Sequence, residues 1–190
     1  MNSWNNDTPA CMHELALEYT KRFPDDFCGW IVLADTLTHF ALYKRARAAL
    51  STALSLAPTE KKTDVYHQIG HHYSEKGDHK RAELWYRKAL EENRCVEHYI
   101  FLGACLAKQG RLEKAKKYHL QAIKTKSKEV DEAYFNLGLI YRAERNFKKA
   151  SEYFGKAIEL DPEYKLAKIA KEDINKIEDH LKKIKQDREN

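Results

Sequence analysis

The feature that most constrains this chain is a pattern that recurs four times, at intervals of 33 to 36 residues. An aromatic residue opens the four copies: Trp30, Tyr66, Tyr99 and Tyr134. A leucine or isoleucine follows three residues later, and the next residue is always small: Ala34, Gly70, Gly103 and Gly138. A period in this range predicts a stack of repeated units, because one unit alone cannot bury its apolar face.

Each copy divides into two amphipathic helices of about a dozen residues, since its apolar positions recur at three- and four-residue steps. The second helices carry alanines at two shared positions: Ala46, Ala82, Ala115, Ala150 and Ala53, Ala89, Ala122, Ala157. A larger residue lies between them: Leu50, Tyr86, His119 and Phe154. Gly77 and Gly110 fall just after a first helix, where a left-handed C′ residue is expected.

The glycine in the middle of three first helices needs an explanation, because it costs about 1 kcal/mol of helix propensity relative to alanine. We expect it to let the second helix approach closely, with the alanines opposite doing the same from the other side. The aromatic residues are then expected to fill the wider gaps.

This succession of residues resembles the tetratricopeptide repeat, and the resemblance covers residues 27 to about 164. It departs from the family pattern at Arg94 and Ser127, which replace the closing proline, and at His119, where a large apolar residue is usual. The resemblance implies an all-α fold: a right-handed helical solenoid of four helix-turn-helix repeats with N-terminal and C-terminal flanking helices.

The ends of the chain extend this pattern. Residues 1–26 are expected to form an N-terminal helix, a partial repeat capped by Thr8, before the four repeats of residues 27–164. Residues 165–190 are assigned to a C-terminal capping helix, predicted to run from residue 163 to about 186 after Asp161-Pro162. Its apolar stripe comprises Leu166, Ala170, Ile174, Ile177, Leu181 and Ile184. This stripe either covers the last repeat or pairs with a partner or second copy, so we expect a monomer, with a homodimer as the alternative.

Composition excludes several classes of function. No stretch approaches the roughly 20 apolar residues of a membrane span, and no basic leader precedes an apolar run, so we expect a cytoplasmic protein. The four cysteines form no CxxC pair, and the net charge of +5 is modest. There is no phosphate-binding glycine loop, no GxSxG and no pairing of nucleophile and base. We therefore expect no enzyme activity, no cofactor and no small-molecule substrate.

In the family that the chain resembles, the first helices line a concave groove that binds partner peptides. The matching residues, here called the groove positions, are Cys28, Ile31, Val32, Asp35, Asp64, His67, Gln68, His71, Glu97, Ile100, Phe101, Ala104, Glu132, Phe135, Asn136 and Leu139. The partner-binding residues predicted among them are Asp35, His67, Gln68, His71, Ile100, Phe101, Phe135, Asn136 and Leu139.

Two groups of groove positions stand out. Four apolar residues lie off the core motif and predict an exposed patch for a partner, unless they pack against a neighbouring first helix: Ile100, Phe101, Phe135 and Leu139. His67 and His71 are four residues apart, with Asp64 one turn earlier, a spacing that could hold a metal ion. A fourth ligand is missing, so we predict hydrogen-bonding histidines and no metal.

The sequence therefore predicts a non-enzymatic scaffold or adaptor that binds a protein or peptide partner in its groove. The alternatives are a secretion-type chaperone that shields a substrate protein, and a dimeric structural protein paired through the C-terminal helix. A cationic clamp for a carboxylate is not present, since the matching positions include Asp35 and Glu97. The locally basic residues 108–128 are expected to form a solvated helix face, and the absence of interleaved aromatics argues against nucleic acid.

Overall fold

The computed structural model describes residues 9–189, and this part of the chain is α-helical, with one 3₁₀ turn and no β-strand. The expected fold class, all-α with helix-turn-helix repeats of the solenoid type, is confirmed. The predicted cap Thr8 lies outside the described residues. None of the described helices combines the length and apolar character needed to cross a membrane.

The chain divides into two compact units, the first ending at Arg94 and the second beginning at Cys95. The first unit contains α1 (Pro9–Arg22), α2 (Phe27–His39), α3 (Tyr43–Leu56), a 3₁₀ turn (Thr59–Lys61), α4 (Lys62–Glu75) and α5 (His79–Glu92). Within it, α2 pairs with α3 and α4 with α5, while α3 packs on α4 and α1 packs on α2.

The second unit contains α6 (Val96–Lys108), α7 (Leu112–Lys124), α8 (Asp131–Ala143), α9 (Phe147–Leu160) and α10 (Lys165–Glu189). Here α6 pairs with α7 and α8 with α9, α7 packs on α8, and α10 packs on α9. In both units the first helices of successive repeats also contact each other, α2 with α4 and α6 with α8. The groove positions on each such pair therefore lie on adjacent helices.

Side-chain caps and left-handed residues set the helix ends. Asp26 accepts a hydrogen bond from the Cys28 amide at 2.9 Å at the start of α2, and Asp78 and Asn146 cap α5 and α9 in the same way. Gly77 (φ 82°) and Gly110 (φ 74°) adopt the left-handed conformation after α4 and α6, as predicted.

The mid-helix glycines make room for rings, which differs from the expectation that they face alanines. A Cβ on Gly138 would lie 2.5 Å from the ring of Phe154, and one on Gly70 would lie 2.7 Å from the ring of Tyr86. In the first repeat the corresponding pair is Ala34 and Leu50, both buried in one apolar cluster. The Cβ of Ala34 fills part of the space between the two helices. The side chain opposite it is therefore Leu50, which is smaller than the rings that face the glycines.

The C-terminal helix begins two residues later than predicted. Asp161 ends α9, and its side chain accepts a hydrogen bond from the Glu163 amide at 2.9 Å, so Asp161-Pro162 forms a turn rather than a helix start. The helix then continues to Glu189. The buried side of α10 consists of Ala167, Ala170 and Ile174, whereas Leu166, expected in the apolar stripe, is exposed.

Candidate functional site

Three of the predicted partner-binding residues meet on the first helices of unit one. The side-chain amide of Gln68 on α4 donates a hydrogen bond to Asp35 Oδ1 on α2, with a distance of 2.7 Å. His71, one turn further along α4, places Nδ1 3.7 Å from the same oxygen. Because Asp35 is 57% exposed, this cluster presents polar atoms to solvent instead of contributing much to stability.

His67 belongs to the same helix face but contacts its own repeat. Its ring stands edge-on to Tyr86, with centroids 5.7 Å apart, and the side chain is half-buried. Among residues 9–189 no three histidine, cysteine or acidic side chains are grouped in a way that could hold a metal ion. The arrangement around His67 and His71 is suited to hydrogen bonding and to packing against a partner.

An apolar cleft of about 230 Å³ adjoins this cluster. Met12, Leu15 and Tyr19 of α1 form one wall, and the groove positions Cys28 and Val32 of α2 form the other. The large side chains of this cleft are exposed by 40% or more. Sequence reasoning missed the cleft, although the signal was present: α1 carries Met12 and Tyr19 where the other second helices carry buried alanines.

The expected apolar patch of unit two is not a single exposed surface. Ile100 is only 3% exposed and packs in a cluster with Val96, Ala122, Val130 and Ala133. Its expected exposure to a partner is therefore wrong, and the alternative of packing against the neighbouring repeat applies. Phe101, the next residue on α6, is half-buried.

Phe135 and Leu139 of α8 are each half-buried against the core of the last repeat. The Phe135 ring lies 5.7 Å from the Phe154 centroid and 5.0 Å from that of Tyr164. One side of Phe135 is thus part of the core, and the view that the core leaves this face free is incorrect. Only the remaining surface of these residues is available to a partner.

Polar groups border Phe135 on the same helix. Burial raises the pKa of Glu132, and the amide of Asn136 one turn later offsets part of that rise. Burial also raises the pKa of Tyr164 to about 12, with the negative charges of Glu132 and Asp131 adding to the effect. Tyr164, which precedes α10, was not predicted as a site residue, because its position in a turn gave no periodic signal.

Comparison with known proteins agrees with this architecture. Family models described as tetratricopeptide repeat match residues 63–94, 96–129 and 131–164. A tetratricopeptide-repeat-containing protein of Methanocaldococcus jannaschii is 30% identical over 156 residues, which are 81% of this chain and 26% of that protein. The chain therefore spans about a quarter of the length of this curated relative.

Two solved structures share the fold. PilF of Pseudomonas aeruginosa superposes with a TM-score of 0.70 at 23% identity, covering 92% of this chain and 74% of that one. YrrB, described as a tetratricopeptide repeat protein with an unusual peptide-binding site, gives a TM-score of 0.62 at 22% identity, covering 84% and 81%. The family models together cover more than half of the chain, which therefore belongs to the tetratricopeptide repeat family.

Proposed function

We propose that this protein is a non-enzymatic interaction module that binds a segment of a partner protein along the groove positions of its first helices. In this proposal residues 1–26 act as a partial repeat, residues 27–164 as the four repeats and residues 165–190 as the C-terminal cap. Tetratricopeptide repeats are generally non-catalytic and serve as protein-interaction scaffolds, which supports the assignment.

The observation that carries the proposal is the continuity of two surfaces in unit one. The apolar cleft between α1 and α2 ends at Val32, and Asp35 of the polar cluster lies one turn further along α2. A cleft of this size suits one or two apolar side chains, and adjacent exposed polar groups can fix the orientation of the bound segment. We assign the apolar anchor of the partner to this cleft.

The polar contacts of the partner are assigned to Asp35, Gln68 and His71, with His67 beside them. In unit two the open edges of Phe101, Phe135, Asn136 and Leu139 form a second contact area in the proposal. Phe135 is a poor probe of binding because its ring contacts with Phe154 and Tyr164 couple it to stability.

The test starts with identification of a partner by affinity purification and mass spectrometry from the native organism. The purified partner is then titrated against Val32→Asp, which places a charge in the cleft. The matched control is Leu84→Asp on α5, since Leu84 is also an exposed apolar residue but lies outside the groove positions. Val32→Asp should lower affinity by about tenfold or more, as expected for a buried interface anchor.

Gln68→Ala and His71→Ala should produce smaller losses of affinity, while the melting temperature stays unchanged. Equal affinity for wild type, Val32→Asp and Leu84→Asp would place the binding surface elsewhere and contradict the proposal.

A further inference from the structure

Unit one contains a small basic pocket that lies apart from the groove positions. Its volume is about 180 Å³, and it is lined by Lys44 and Arg47 of α3, His72 and Tyr73 of α4, the α4 C-cap residue Lys76, and Arg81 of α5. Tyr43 closes one side and donates a hydrogen bond from its hydroxyl to the Glu75 carbonyl at 3.4 Å. These residues, here called the basic pocket, come from three helices of unit one.

The positive charge of the basic pocket is largely unbalanced. Arg81 forms an ion pair with Asp78 at 3.2 Å. Within the described range 9–189, Lys44, Arg47 and Lys76 form no ion pair. Lys44, Arg47 and Lys76 are exposed, so water and salt screen their mutual repulsion, and their combined positive charge attracts an anion to the pocket.

A buried histidine forms the floor of the pocket. His72 is 1% exposed, and its Nδ1 lies 3.1 Å from Thr38 Oγ1, which leaves Nε2 as the ring nitrogen able to meet a ligand. Tyr43 and Tyr73 hold the ring edge-on, with centroid distances of 5.8 and 5.2 Å. Burial lowers the pKa of His72, and the nearby positive charges of Lys76 and Arg47 lower it further.

The corresponding place in unit two provides an internal comparison. The repeat register aligns Lys44, Arg47 and Lys76 with Glu113, Lys116 and Glu144. In unit two Lys116 is therefore neutralised within the chain, at 2.5 Å from Glu113 and 2.9 Å from Glu144. Lys116 also lies 5.4 Å from the ring centroid of Tyr141, the counterpart of Tyr73.

The same structural position is thus internally balanced in one unit and positively charged in the other. The two carboxylates that satisfy Lys116 in unit two are replaced by lysines in unit one, around the basic pocket. We propose that the basic pocket is a binding site for a phosphate group, supplied either as free inorganic phosphate or as a phosphorylated side chain of a partner protein.

Phosphate is favoured over a carboxylate because it carries up to two negative charges and offers three strong acceptor oxygens. Arg47 can donate two parallel hydrogen bonds, and Lys44 and Lys76 can each contribute a point charge. The pocket, at about 180 Å³, is large enough for a phosphate group.

The experiment uses the full chain and two kinds of probe. Inorganic phosphate is titrated against the protein by NMR, with the His72 ring signals as the local readout and chloride at equal ionic strength as the reference. A short neutral peptide with one phosphoserine is then compared with its unphosphorylated form. Both phosphate probes should shift the His72 signals, and the unphosphorylated peptide should not.

Relative affinity identifies the source of the phosphate group. Binding of the phosphopeptide about tenfold or more tighter than inorganic phosphate would identify a phosphorylated partner, because groups beside the phosphate then add to affinity. Equal affinity would identify free phosphate as the ligand. Either result supports the site.

The decisive variant is Lys44→Glu combined with Lys76→Glu, which reproduces the charge pattern that unit two already accommodates. It should retain the melting temperature in chloride and lose phosphate affinity by tenfold or more, since Arg47 becomes neutralised within the chain. The matched control is Arg45→Gln, an exposed cation on α3 that does not line the pocket, and Arg47→Gln provides a second loss variant. The proposal is overturned if wild type binds neither probe at millimolar concentration, or if these variants bind as tightly as wild type.

Discussion

In the third repeat the imidazole of His119 occupies the space above Gly103, where a Cβ would lie 2.6 Å from the ring carbon Cε1. The side chain is completely buried, and in the described part of the chain neither ring nitrogen has a hydrogen-bond partner. Tyr86 and Phe154 fill the equivalent position above Gly70 and Gly138. His119 therefore serves as a flat packing group in an apolar site and carries the cost of two buried polar atoms.

This position predicts a pH-dependent stability. Burial lowers the pKa of His119 from 6.5 to about 4, so between these values the unfolded chain binds the proton more readily than the folded one. The free energy of unfolding should fall as pH decreases from about 6.5 to about 4, by roughly 3 kcal/mol at most, and this contribution should be constant outside that window. Urea unfolding at a series of pH values measures the effect.

The control is His119→Phe, which keeps a ring over Gly103 and removes the titrating group. This variant should be more stable at pH 7 by about 1–3 kcal/mol, because no polar atom is left unpaired. Subtracting its pH profile from that of wild type isolates His119 from the carboxylates, which titrate in the same range. Parallel profiles for the two proteins would show that His119 is not the responsible group.

The contact between Gly138 and Phe154 predicts that any larger residue at position 138 is unfavourable. Gly138→Leu should destabilise the protein by about 1–3 kcal/mol or more, since a Cβ would lie 2.5 Å from the ring. Gly155→Ala is the matched control, because this mid-helix glycine would meet only the mobile end of Lys171, at 3.1 Å. It should be neutral or gain up to about 1 kcal/mol of helix propensity. Thermal melts of both variants test this explanation. If the helices simply required glycine at both positions, Gly138→Leu and Gly155→Ala would be destabilised equally.

The repeat core could be predicted because its alanines and rings recur at positions that helix geometry fixes. The exposure of a groove position could not be predicted, because it depends on the neighbouring repeat. Ile100 is covered by Val130 and Ala133, whereas its counterpart Phe135 is only half-buried. The start of α10 was misplaced because an Asp-Pro pair can either cap a helix or form a turn. The basic pocket was missed because its cations come from three helix ends and converge only after folding.

Three turns in the described part of the chain use a residue other than glycine in the left-handed conformation: Ala41, Lys126 and Arg145. Arg145 (φ 59°) follows α8 at the C′ position that Gly77 and Gly110 occupy after α4 and α6. Arg145→Gly should therefore stabilise the protein by about 1 kcal/mol, because the side chain carries a steric cost at positive φ that glycine avoids. Its matched control is Arg142→Gly in the last turn of α8, which removes the same charge from an exposed helical site and should destabilise by about the same amount. Melting temperatures that move in the same direction for both variants would refute the conformational explanation.

The buried and exposed parts of the apolar stripe of α10 allow its capping role to be separated from pairing with a second copy. Ile174 is fully buried with Ala150, Phe154 and Ala170, whereas Ile177 is 36% exposed one turn further along the helix. Ile174→Ala should cost about 2–4 kcal/mol, as expected for a cavity in a packed core. The variant Ile177→Ala with Leu181→Ala removes a similar apolar surface from the exposed part of the stripe and should change stability by less than about 1 kcal/mol. Sedimentation of wild type and of this double variant is the second measurement, and both should sediment as monomers. If wild type sediments as a dimer and the double variant as a monomer, the exposed stripe pairs two chains, and α10 has a role beyond covering the last repeat.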